Sequence, residues 1–312
     1  MPRKNSKESR IPVVVILGPT ASGKSDLAVE LALKLDRRAE IISADSRQIY
    51  TGLDIGTGKT TKREMKRIPH HLLDVADPKI PANSPRSYSV EKWKNSAEKI
   101  IEEIHARGNI PIVCGGTGFY ITALIDGIVF PDVPPNKKLR EELATLETTE
   151  LFATLTKLDP RRAKTMNKTG GDANNRPRII RAIEIATELG SVPLVTRKVT
   201  KYEPIFIGIA IEPDELAKRI ERRLDKRFKN GMIDEVKKLL AKPPRGLGLT
   251  YKRLNELGLE YRFIGQFLHD NPRPAQQKKA FPELREKLAL AIRHYAKRQM
   301  TWFKRDSRIT WY

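Results

Sequence analysis

The sequence predicts an α/β fold: a parallel sheet flanked by helices and interrupted by a helical insertion. Three observations carry that prediction. A β-branched apolar run, VVVILGPTASGKSDL from Val13 to Leu27, breaks into a glycine-rich turn and then into helical spacing. Apolar runs of strand length recur at 39–43, 110–114 and 205–211, with helical patterns between them. Strands that alternate with helices pair in parallel, because only a crossover element brings the chain back in the same direction. From Pro134 to about Thr200, by contrast, the pattern is helical with scattered charge and no strand signal. The expected organisation is a basic tail over 1–10, the first part of the core over 11–131, a helical insertion over 132–200, and a return to the core with basic helices over 201–312.

The first run is the most informative. Gly18, Gly23, Lys24 and Ser25 fall where G-x-x-x-x-G-K-[ST] requires them. Glycines at that spacing let successive backbone N–H groups point into one concavity at the positive end of the helix that starts near Lys24. A diphosphate or triphosphate fits there, with Lys24 as a point charge and the Ser25 hydroxyl available to a magnesium ion carried by the same phosphates. The motif therefore identifies a phosphate-binding loop, or P-loop.

The 312 residues suffice for one large α/β domain with a smaller appendage, and a hydrophobic content of 39% is that of a globular chain. Lys and Arg number 59 against 38 Asp and Glu, a net charge of +21. Such a surplus favours a polyanionic partner, because neutralising phosphates releases counterions; a merely basic protein is the bland alternative. The single cysteine, Cys114, excludes an internal disulfide and fits a reducing compartment. The start, MPRKNSKESR, has no apolar segment of its own, so neither a signal peptide nor a membrane span is expected, and a cytoplasmic location follows.

The remaining elements follow in order. A second strand over 39–43 ends in Ala44-Asp45-Ser46-Arg47-Gln48. Ligands of open parallel sheets sit beyond the carboxyl ends of the strands, which turns Asp45 toward the same crevice as Lys24. There it can accept a proton from a nucleophile, or simply cap the turn that follows. His70 and His71 lack neighbours at ligand spacing, and structural hydrogen bonding is their expected role. Over 87–106, Val90, Trp93, Ala97, Ile100, Ile101 and Ile104 recur at helical spacing, which makes Trp93 a core residue. The third strand runs into Gly115-Gly116-Thr117-Gly118 without the terminal Asp that a hydrolysing P-loop enzyme uses for magnesium. That argues against an ATP motor.

In the insertion, Arg178 and Arg181 open a helix and share a face, either as a solvated surface or as an RNA contact. Towards the C-terminus, Leu216, Ile220 and Leu224 form an apolar stripe crowded by Arg219, Arg222, Arg223, Lys226 and Arg227. The last helix interleaves Tyr295, Trp302 and Phe303 with Arg293, Lys297, Arg298, Lys304 and Arg305. Rings that stack bases and cations that meet phosphates suit looped or single-stranded RNA, although rings at helical spacing are also core, so at least one of the three is expected to be buried.

Taken in order, GPTASGKS, ISADSRQIYTGLDIGTGK, IPHHLLDVADP, YSVEKW, RGNIPIVCGGTGFYITAL and YAKRQMTWF resemble the tRNA dimethylallyltransferases, over nearly the whole chain from Ile11 to Trp311. The resemblance implies a P-loop that holds dimethylallyl diphosphate without hydrolysing a nucleotide. It implies that Gly18, Pro19, Thr20, Ala21, Ser22, Gly23, Lys24 and Ser25 bind the diphosphate, that Ser25 holds Mg2+, and that Arg219 or Arg223 meets the leaving group. Asp45 matches the general base, which makes Asp45, Lys24 and Ser25 the catalytic set. Asp45, Ser46, Arg47, Gln48, Thr117, Arg140, Arg178 and Arg181 match positions near the tRNA anticodon stem-loop, and a monomer is expected. The chain departs from the family pattern at Asn174-Asn175, at Pro177 and at Leu257-Gly258-Leu259-Glu260-Tyr261. Competing expectations are an adenylate prenyltransferase acting on free AMP, a small P-loop kinase, and a non-catalytic RNA-binding protein.

Overall fold

The computed structural model describes residues 10–81, 84, 86–168 and 172–312. All of the expected basic tail except Arg10 lies outside the described residues. The described residues form two compact units, one of residues 10–79, 88–127 and 199–312, the other drawn from residues 80–87 and 128–198.

The larger unit is built on β1 (Ile11–Leu17), α1 (Lys24–Lys34), β2 (Ala39–Ser43), α2 (Lys62–Met65), β3 (His70–His71), α3 (Val90–Ala106), β4 (Ile110–Gly115) and α4 (Gly118–Ile125). The smaller unit follows, with β5 (Ile128–Val129), α5 (Lys137–Ala144), α6 (Thr148–Leu158), α7 (Pro160–Lys168), α8 (Arg176–Leu189) and β6 (Thr196–Arg197). The chain then returns with β7 (Tyr202–Gly208), α9 (Pro213–Lys229), α10 (Met232–Leu240), α11 (Tyr251–Leu257), α12 (Leu259–Asp270), α13 (Pro274–Phe303) and β8 (Thr310–Trp311).

The sheet has the order β3-β2-β4-β1-β7-β8, with all its neighbours parallel. Both faces are covered, which is why the strands are continuous apolar runs: Val13, Val15, Ile16, Ile42, Ile112 and Val113 are fully buried. On one face, α1 lays Ala28, Val29 and Ala32 against Ile16, Ile41 and Ile112. On the other, α3 buries its stripe of Trp93, Ala97, Ile101 and Ile104 together with Leu288 and Ile292 of α13. Trp93 is core, as its spacing predicts; its indole donates to the Ser43 carbonyl at 3.0 Å and stacks on Tyr120 at 4.6 Å. Burying a side chain of that kind contributes about 3 kcal/mol, and the hydrogen bond keeps its one polar atom satisfied.

One expectation about strands needs correction. The final core strand ends at Gly208 rather than Ile211, because Ala210 turns its N–H to the Tyr312 carbonyl at 2.8 Å. The sheet also gains β8, whose two residues are too few to leave a periodic signal.

The register sets the site. Leu17 pairs with Gly115 and Ser43 with Cys114, so the loops that leave β1, β2 and β4 emerge side by side at one edge of the sheet.

In the smaller unit, Leu151, Leu155, Met166, Ile179 and Ile183 form a separate core, and β5 pairs antiparallel with β6. That ribbon brings residues 128–131 into the unit, four residues ahead of the expected boundary. Asn175 caps α8 by accepting the Arg178 N–H at 3.3 Å, and Pro177 sits in the first turn where its missing N–H costs nothing. The departures at Asn175 and Pro177 thus make a sound helix start.

Candidate active site

The P-loop joins β1 to α1 through Gly23, whose φ of 91° lies in the left-handed region that glycine adopts without strain. Among the described residues no side chain caps α1, which leaves its first N–H groups available to the cavity that Gly23, Lys24 and Ser25 line. Lys24 reaches back along the loop to donate to the Pro19 carbonyl at 3.2 Å. Desolvation lowers its pKa from the ordinary 10.5, with Arg223 adding repulsion. A cation held in that state is stabilised by any anion that arrives.

That cavity measures about 970 Å³ and is lined by Thr20, Ala21, Gly23, Lys24, Ser25, Asp45, Ser46, Arg47 and Gln48, among others. Of the two sequence readings of Asp45, the turn cap is the one observed. Its Oδ1 accepts the N–H groups of Arg47 at 2.8 Å and Gln48 at 3.4 Å, which is a turn cap. Among the described residues neither bond uses Oδ2, and the carboxylate still lines the cavity. The Thr117 hydroxyl accepts the Ser46 N–H at 2.9 Å and so fixes the chain just after Asp45.

The opposite wall comes from α9. Arg223 is 3.5 Å from the Thr20 hydroxyl and 3.4 Å from the Gly58 carbonyl, and burial together with Arg227 brings its pKa down to about 10. Arg227 donates to the Gly56 carbonyl at 3.1 Å and pairs with Glu260 at 3.0 Å. Gly58, at φ 60°, lies so close beneath both guanidiniums that a Cβ there would collide with them. Arg219 also lines the cavity but pairs with Glu215 at 2.8 Å.

Several residues that line or brace the cavity have no motif to announce them. Gln299 of α13 accepts the Thr20 N–H on Oε1 at 2.8 Å and donates to the Gly116 carbonyl from Nε2 at 2.8 Å, which ties the P-loop to the glycine turn after β4. Its one signal is a polar residue inside the buried stripe Leu288, Ile292, Ala296 and Phe303. Glu235 of α10 accepts the N–H groups of Asp54, Ile55 and Gly56 at 3.0, 2.7 and 3.0 Å and the Tyr261 hydroxyl at 2.9 Å. Together these hold the loop that carries Gly58. Leu257, Leu259, Glu260 and Tyr261, where the sequence leaves the family pattern, line the cavity too. Cys114 also lines it; burial pushes its thiol up to about 12, so it stays protonated. His70 and His71 are structural: the first bonds the Ile68 carbonyl and the second bonds Glu40, each at 2.8 Å.

The other arginines singled out in the sequence belong to the smaller unit. Arg140 grips Glu184 through Nε at 2.6 Å and Nη2 at 2.8 Å, and Arg181 donates to Glu184 at 3.2 Å and to the Val133 carbonyl at 2.7 Å. Arg178 pairs with Asp172 and keeps 58% of its side chain exposed.

Fold and cavity together define a P-loop protein built for a phosphorylated substrate. A family model described as IPP transferase matches residues 48–306, and one described as isopentenyl transferase matches residues 11–82. The tRNA dimethylallyltransferase 1 of Syntrophus aciditrophicus is 40% identical over 95% of this chain and 90% of its own length. That of Pelobacter propionicus is 40% identical over 96% and 91%. Among solved structures, the full-length tRNA isopentenylpyrophosphate transferase of Bacillus halodurans superposes with a TM-score of 0.64 at 35% identity, over 96% of this chain and 89% of that one. A eukaryotic dimethylallyltransferase acting on tRNA gives 0.71 at 27% identity, over 94% and 69%. The chain belongs to the IPP transferase family, and it is a prenyltransferase.

Proposed function

We propose that this chain transfers the dimethylallyl group of dimethylallyl diphosphate to the exocyclic amino group of the adenosine 3′ of the anticodon in tRNA, releasing diphosphate. The observation that carries the reading is the meeting of the P-loop, Asp45 and the α9 arginines in one cavity. The loop amides, Lys24 and Ser25 grip the diphosphate. Arg223, with Arg219 beside it, balances the charge that builds as the C–O bond breaks. As the amino nitrogen forms its bond to the allylic carbon, its proton passes to the Asp45 carboxylate. Holding donor and acceptor in line supplies the rest.

The residues present fit a divalent ion in one way. Among the described residues no group of three or more His, Cys, Asp or Glu is placed to hold a metal, whereas the Ser25 hydroxyl lines the phosphate end of the cavity. We read Mg2+ as arriving with the diphosphate and resting on Ser25, where it would neutralise phosphate charge. For the tRNA, Arg47 and Arg178 support contact best, since both are exposed, whereas Arg140 and Arg181 are committed to Glu184. Ser46, Gln48 and Thr117 would act by shaping the turn around Asp45, and the Gln48 side chain also donates to the Gly58 carbonyl at 3.3 Å.

The test is direct. The protein is incubated with magnesium and dimethylallyl diphosphate, together with unmodified tRNA or AMP. A gain of one prenyl mass on the tRNA alone, abolished by a chelator, is expected. Gain only on AMP, or on neither, removes the proposal.

A further inference from the structure

Two large rings stand exposed on α4 and α13, each within three residues of a side chain that bonds the turn after Asp45 or the P-loop. Phe119 of α4 is 42% exposed and Trp302 of α13 is 38% exposed, and they meet edge to face with centroids 6.3 Å apart and planes at 77°. Exposed rings of that size next to a polar site mark a surface for a partner. Both are anchored to the chemistry. Phe119 follows two residues after Thr117, which fixes Ser46 and through it the turn of Asp45. Trp302 follows one helical turn after Gln299, which binds the P-loop. The indole lies flat enough on Gly118 that a Cβ there would collide with its five-membered ring. Position 118 therefore has to be glycine for the indole to take this place.

The surroundings select the partner. Arg298 and Arg305, at i−4 and i+3 from Trp302, are exposed, and Arg298 also lines the cavity. Arg298 stands 6.0 Å over the half-buried Tyr295, while Phe303, the third ring of the segment, is buried in the core. Two rings at right angles flanked by cations fit a planar base with its phosphates, since a ring stacks on any base and the cations meet the backbone.

We propose that Phe119 and Trp302 form a stacking subsite for one unpaired base adjacent to the target adenosine in the anticodon loop. This rests on the tRNA reading above and adds to it the residues that hold the loop open.

The experiment compares wild type, F119L, W302L and W302F on an anticodon stem-loop and on versions lacking the base 5′ or 3′ of the target. Leucine keeps an apolar side chain and removes the ring; phenylalanine keeps a ring. W302L and F119L are expected to raise the KM for the stem-loop roughly 5- to 100-fold, the loss of one stacked base, without moving the KM for dimethylallyl diphosphate. W302F is expected to restore most of the loss, and stem-loop binding should quench indole emission in wild type more than in W302F. One of the two abasic stem-loops should bind wild type as weakly as W302L binds the intact one, with no further loss in W302L. The inference is overturned if both leucine variants keep the stem-loop KM within twofold of wild type, or if they raise the donor KM as much. It is also overturned if the abasic and ring losses simply add. A wild-type protein that prenylates no RNA at all would instead remove the tRNA reading itself.

Discussion

Arg140 and Arg181 of the smaller unit and Arg223 of the larger are the same chemical group put to opposite uses. In the smaller unit, Arg140 and Arg181 end on one carboxylate, Glu184, which is 2% exposed and also accepts the Asn136 N–H at 2.8 Å. Burial alone would raise that carboxyl, yet the bonds from Arg140, Asn136 and Arg181 hold it below its ordinary value. Among the described residues, Arg223 bonds a hydroxyl and a carbonyl and Lys24 a carbonyl, while Asp45 draws on both only through its charge. Both have their pKa lowered by burial. A closed set of charges holds a fold together, whereas desolvated cations without a counter-anion are a standing cost that a bound diphosphate removes.

The largest effects should come from the open set. Asp45→Asn removes the proton acceptor and keeps the turn cap, since the amide oxygen can still accept from Arg47; turnover should fall about 10²- to 10⁴-fold with the melting temperature unchanged. Lys24→Ala should lower turnover about 10²- to 10³-fold while the protein stays as stable or gains stability, because a desolvated cation is lost. Donor affinity measured against pH sharpens the point. Protonated Lys24 binds the diphosphate, and its pKa lies below 10.5, so affinity should weaken on the alkaline side before an ordinary lysine would titrate. Affinity that stays flat through that range would make Lys24 a spectator.

The closed set should answer in stability. Glu184→Gln leaves two guanidiniums without their anion and is expected to cost about 3 kcal/mol. The carboxyl's folded pKa is depressed, so its contribution is fully present above the ordinary 4.5 and is lost as the pH falls through the lowered value. Urea melts of wild type and variant should therefore differ at pH 7 and converge in acid. Glu235→Gln is the intermediate case, because the carboxylate collects three N–H groups and a hydroxyl but reaches the cavity only through the loop and the Tyr261 ring that it holds. A loss of about 1–2 kcal/mol is expected, with an accompanying rise in the donor KM; a melt shift with no change in KM would separate that loop from Arg223.

What the sequence makes legible follows the range of each interaction. The P-loop is complete within eight residues, and Asp45 needs only a strand that ends before it. The stripe of α3 likewise declares Trp93 as core. Gln299 binds Thr20 across 279 residues, Glu235 meets Asp54 across 181, and Arg227 meets Gly56 across 171. Apart from the apolar stripe around Gln299, no local pattern distinguishes these side chains from an ordinary surface polar residue until the helices are docked. The same applies to Arg140 and Arg181, whose motif positions suggest an RNA contact, although the carboxylate that occupies them, Glu184, looks in the sequence like one more helical glutamate.

The smallest expected effect tests where the comparison itself breaks. Arg178 belongs to the smaller unit but is largely exposed, and its pair with Asp172 lies at the surface. Such pairs contribute little, so Arg178→Ala should change unfolding free energy by no more than about 0.5 kcal/mol. If the side chain meets a tRNA phosphate, the variant should bind tRNA more weakly at low salt, with the slope of log affinity against log salt shallower by about one. Arg140→Ala should do the reverse, costing stability because Glu184 loses its two-pronged partner while the salt slope stays put. Equal slopes in wild type and both variants would place Arg178 with the structural arginines of its unit.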